Sequence, residues 1–68
     1  MVITEEMKRS YVEKVYKEIM CRGMSREEAA KIIGKTGFME ALEEYPEEQL
    51  HYSIKSAVSE IFMVAARH

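Results

Sequence analysis

At 68 residues the chain has room for one domain, whose unaided core supplies no more than about 3–5 kcal/mol. Ten basic side chains against twelve acidic ones leave a net charge of −2, without the cationic surplus on which nucleic-acid or anionic-membrane binding draws. A single cysteine, Cys21, excludes an internal disulfide, and the longest apolar run, IFMVAA over 61–66, falls far short of the roughly 20 residues of a membrane span.

The first helix is expected over about 5–22. Thr4 is a fitting N-cap, Glu5 and Glu6 suit the positive end of the helix dipole, and Gly23 offers a C′ glycine. Met7, Tyr11, Val12, Val15, Tyr16, Ile19 and Met20 recur at the spacing of one helical face. Ser25 and Glu28 then form an S-x-x-E capping box opening a second helix over about 25–34. Gly34 and Gly37 both permit left-handed backbone, so KTG is expected to break this helix, with Thr36 capping a short third one over 37–44. Pro46 stops that helix and suits the first position of the next. The last helix is expected to run unbroken over about 47–66 on Leu50, Ile54, Ala57, Val58, Ile61, Phe62 and Ala65. No segment alternates with period two. The expected fold is all-α: one domain over 1–68, a small bundle of two long helices flanking a short helical hairpin.

Ala30 followed by Gly34, within two capped helices over 25–44, resembles the helix-turn-helix family and implies a DNA-reading second helix. Chemistry opposes that use. FMEALEEYP carries Glu40, Glu43 and Glu44 and no Lys, Arg, Asn or Gln, and residues 38–49 hold five glutamates and no base. DNA affinity comes largely from neutralising phosphates, so this element would be repelled. The nucleic-acid alternative needs a basic surface assembled across a dimer.

Catalytic and metal chemistry find little purchase. There is no aspartate, no G-x-G-x-x-G and no Walker loop. A zinc site would have to combine Cys21, His51, His68 and glutamates without CxxC or HxxxH spacing. Cys21 sits at a helix C-terminus, where the dipole does not activate a thiol. No enzyme, cofactor or bound metal is expected.

Apolar surface carries the remaining signal. On a wheel at 100° per residue, the last helix shows an apolar arc of about 160°, wider than the roughly 100° a core requires. The first helix is similarly broad. A homodimer is therefore expected, joined through Tyr11, Val15, Ile19, Ile54, Val58, Ile61 and Phe62. Tyr52 and Met63 share the opposite face of the unbroken wheel. With Glu40, Glu43 and Glu44 they are the candidate residues for a second protein partner. The opening MVITEEMKRS has no apolar h-region, so a small cytoplasmic protein of bacterial type, acting by protein–protein interaction, is the expectation.

Overall fold

The computed structural model describes residues 2–67, which leaves His68 outside the described residues. Among the described residues five helices follow one another: α1 (Glu5–Cys21), α2 (Arg26–Thr36), α3 (Phe38–Glu44), α4 (Pro46–His51) and α5 (Ile54–Ala66). No strand occurs among the described residues. The all-α bundle stands as expected, with different joints.

Two helix starts follow the sequence directly. Thr4 accepts a hydrogen bond from the Met7 amide at 3.1 Å. The Ser25–Glu28 box closes in both directions, Glu28 N–H donating to Ser25 Oγ at 3.2 Å and Ser25 N–H donating to Glu28 Oε1 at 2.9 Å. Hydrogen bonding to its ionised form holds the Glu28 carboxyl below the ordinary glutamate range, the Ser25 amide being the largest cause.

Two joints differ. α2 continues through Gly34 and ends only at Gly37, whose φ of +74° is left-handed. Gly34 therefore does not break the helix. Thr36 does not cap α3; its hydroxyl donates back to the Ile33 carbonyl at 3.2 Å, and Gly37 takes the cap position without a side-chain bond. The second difference divides the expected 47–66 helix. Tyr52 (ψ 143°) and Ser53 (ψ 158°) are extended, and Ser53 Oγ accepts from the Ser56 amide to start α5 afresh.

The core is drawn from four helices and omits α4. Tyr11, Val15 and Ile19 of α1 face Ala29 and Ile33 of α2, Phe38 and Leu42 of α3, and Ala57, Val58 and Ile61 of α5. In α1, α2 and α3 the buried set is a row at i, i+4, narrower than the apolar arcs of the sequence. Val12, Tyr16, Met24, Ile32, Leu50, Ile54 and Phe62 flank it half-buried. The residues expected at a dimer interface lie in or against this core within the single chain. Tyr11, Val15, Ile19, Val58 and Ile61 are buried inside the subunit, and Ile54 and Phe62 pack against that core. The faces of α1 and α5 cover each other, so a second copy could reach them only by displacing one.

Arginine supplies part of the cover that a sister chain was expected to give. Arg22 lies over the Phe62 ring at 5.4 Å and Arg26 over the Tyr16 ring at 4.5 Å. Arg26 also pairs with Glu13 at 2.7 Å. Each guanidinium shields an aromatic face while its own charge stays in water. The radius of gyration, 11.4 Å, is close to the value of about 11 Å for a compact monomer of this length. The accessible surface of 4832 Å² exceeds the roughly 4,400 Å² of a monomer this size by only about a tenth.

Candidate interaction face on α3 and α4

The helix-turn-helix geometry is absent. That motif joins its helices by a turn of three or four residues, whereas Gly37 alone separates α2 from α3. α3 has seven residues, and its polar surface is glutamate.

What α3 and α4 build instead is an acidic face with apolar side chains set into it. Two buried anchors, Phe38 and Leu42, hold α3 against the core, and the Phe38 ring stacks on Tyr11 with centroids 6.2 Å apart. Burying 38 and 42 turns Met39, Glu40, Glu43 and Glu44 outward, where they line one shallow depression. At Tyr45 the chain leaves the helix (φ −129°, ψ 61°), and Pro46 opens α4 immediately. Because α4 buries no side chain, Glu47 and Glu48 also face water. Glu44, Tyr45, Pro46, Glu47 and Glu48 line a second depression, and Glu47, Glu48, His51 and Tyr52 a third.

Charge on this face is largely uncompensated. Lys8 reaches Glu43 at 3.3 Å while holding Glu5 at 2.6 Å. These contacts, Glu5 first, hold the Lys8 ammonium above its ordinary range. Among the described residues Glu40, Glu44, Glu47 and Glu48 form no ion pair. Between these carboxylates stand three large exposed side chains: Met39 at 40%, Tyr45 at 55% and Tyr52 at 57%. No described group of three or more His, Cys or Glu side chains is placed to hold a metal ion.

Of the residues the sequence suggested for a partner, Glu40, Glu43 and Glu44 share one depression, and Tyr52 sits at the far end of the same face. Met63 does not join them. It is exposed on α5 and lines neither depression that Tyr52 lines, because the break at Tyr52–Ser53 removes the unbroken wheel on which the two shared a side. Sequence reasoning passed over Met39 and Tyr45. The pattern that could have marked Met39 is its place beside Phe38, one residue off the buried row. Tyr45 is marked by its seat between a helix end and proline.

A narrower cleft opens at the break itself, lined by Gln49, Tyr52, Ser56, Ala57 and Glu60. The Tyr11 hydroxyl donates to the Tyr52 carbonyl there at 3.0 Å. Burial pushes the Tyr11 phenol above its ordinary range, so it remains a donor throughout the physiological interval. Cys21 is exposed at the end of α1, and His51 is exposed at the end of α4.

No helix among the described residues is long and apolar enough to cross a membrane. Comparison with known proteins adds no kinship: no family model, no curated protein and no solved structure matches the chain.

Proposed function

We propose that this chain works by binding protein, and that the α3–α4 face receives a cationic segment with apolar side chains of its own. One observation carries the reading: four glutamates without an ion pair among the described residues surround exposed Met39, Tyr45 and Tyr52 on two consecutive helices. Carboxylates at that density attract lysine and arginine and steer association. The methionine and the two tyrosines supply adaptable contact area, and tyrosine is enriched at interface centres.

The test is a titration followed by amide chemical shifts, using a 12-residue peptide of alternating arginine and leucine. Shifts concentrated over residues 39–52, weakening as salt rises from about 0.05 to 0.3 M, are expected. Replacing Glu44, Glu47 and Glu48 together by glutamine should weaken binding on the order of tenfold. Shifts spread evenly over the surface, or binding unchanged in the triple variant, would refute the reading.

Self-association is a second reading. It is favoured by the half-buried apolar flank of Val12, Tyr16, Ile32 and Phe62, over part of which arginines lie. Light scattering across concentration tests it.

A further inference from the structure

The break between α4 and α5 has one local mark in its residues, the Ser53 cap, and otherwise none. Tyr52 and Ser53 include neither glycine nor proline, and the apolar positions Leu50, Ile54, Ala57, Val58 and Ile61 keep one helical register straight across it. Local propensity therefore favours a continuous helix from Pro46 to Ala66. The bent form exists because other bonds compete for the same backbone groups. In a continuous helix the Tyr52 carbonyl would accept from the Ser56 amide. Here it accepts from the Tyr11 hydroxyl at 3.0 Å, and the Ser56 amide donates to Ser53 Oγ at 3.2 Å. Bending also leaves the amides of Ser53, Ile54 and Lys55, at the start of α5, without the carbonyls of Gln49, Leu50 and His51 that a continuous helix would provide.

We propose that Tyr52–Ser53 is a hinge at which two copies of this chain exchange α5, forming a dimer in which residues 46–66 are one helix. The inference deepens the self-association reading and rests on it. α4 is held by α3 and α1, so straightening the hinge lifts α5 off its own seat on α1 and α2. The apolar stripe Ala57, Val58 and Ile61 then needs another seat, and the partner's vacated α1–α2 groove has the right shape because it held the same helix. The contacts of α5 with α1 and α2 are remade between chains, the rest of the core stays within each chain, and only the hinge bonds differ. Exchange of identical elements is a low-cost route to a dimer for that reason.

Two substitutions at one position separate this from other modes of association. Ser53→Ala removes the cap that holds the bend, so the dimer should increase. Ser53→Pro removes the same hydroxyl but fits the bent backbone: φ at 53 is −66°, and ψ of 143° at Tyr52 suits a residue preceding proline. Proline in the interior of a continuous helix would clash, so this variant should stay monomeric. Tyr11→Phe keeps the ring stacked on Phe38 and deletes the competing donor. It should raise the dimer constant about fivefold per hinge, roughly 25-fold for two hinges.

The experiment is light scattering after refolding each variant at about millimolar concentration, where exchange is favoured by mass action. A dimer raised by Ser53→Ala and Tyr11→Phe and abolished by Ser53→Pro is the expected result. A dimer that Ser53→Pro leaves intact would overturn the exchange while sparing self-association through another face. Monomer in every variant would overturn both.

Discussion

Single residues show how narrow the margins are in a fold this small. Ile33 is 2% exposed, and truncating it to alanine should cost about 2–5 kcal/mol. That is comparable with the whole stability expected of such a domain, about 3–5 kcal/mol. Ile33→Ala should therefore be largely unfolded at 37 °C, measured as lost helical circular dichroism. The capping box makes a gentler claim. Ser25→Ala removes the acceptor for the Glu28 amide and should cost about 1 kcal/mol, lowering Tm by roughly 4–8 °C. The Glu28 carboxyl adds a pH signature. Its folded value is depressed, so its stabilisation is full above the unfolded glutamate value of about 4.3 and is lost as pH falls through the lower folded one. Glu28→Gln should remove that part of the acid dependence of Tm and leave the neutral-pH helix content intact.

At the scale of elements, two glycines three residues apart have opposite meanings. Gly34 is helical, and a Cβ built there meets nothing within 4 Å. Gly34→Ala should therefore stabilise by about 0.5–1 kcal/mol through backbone entropy alone. Gly37 holds φ +74°, where a side chain is strained even though only the tip of Glu40 comes near. Gly37→Ala should destabilise by about 1–2 kcal/mol. Opposite shifts of Tm in the two variants check both. Had both glycines broken the helix, as the bare sequence implied, the shifts would share a sign. The α2 C-terminus is set by one dihedral angle, and Thr36 answers to the Ile33 carbonyl behind it rather than to the helix ahead.

For the whole molecule the question is what covers the surplus apolar surface. The subunit covers more of it than helical wheels imply, because α1 and α5 pack directly on each other with α2 against both, and arginines lie over Phe62 and Tyr16. Arg26→Ala should lower Tm more than Glu13→Gln. The glutamine variant removes only the charge of an exposed ion pair, whereas alanine also uncovers the tyrosine ring. The acidic face is a different matter. It lies on the exposed side of α3, away from Phe38 and Leu42, and on α4, which buries no side chain, so it can change its contacts without endangering the fold.

The sequence by itself determined which segments are helical, where α1 and α2 begin, and that residues 38–49 concentrate negative charge. Those properties are local: a cap, a 3.6-residue period and a run of glutamates are complete within a few residues of chain. Glu40, Glu43 and Glu44 could be named as a site for the same reason. Only the tertiary structure decided that Tyr11, Val15, Ile19, Val58 and Ile61 are buried within the subunit, because a wheel reports that a face is apolar and not what lies against it. It likewise decided the bend at Tyr52–Ser53. The Ser53 cap that helps hold it is local, but the other bond comes from Tyr11, 41 residues away in the chain, and no local rule reaches that far.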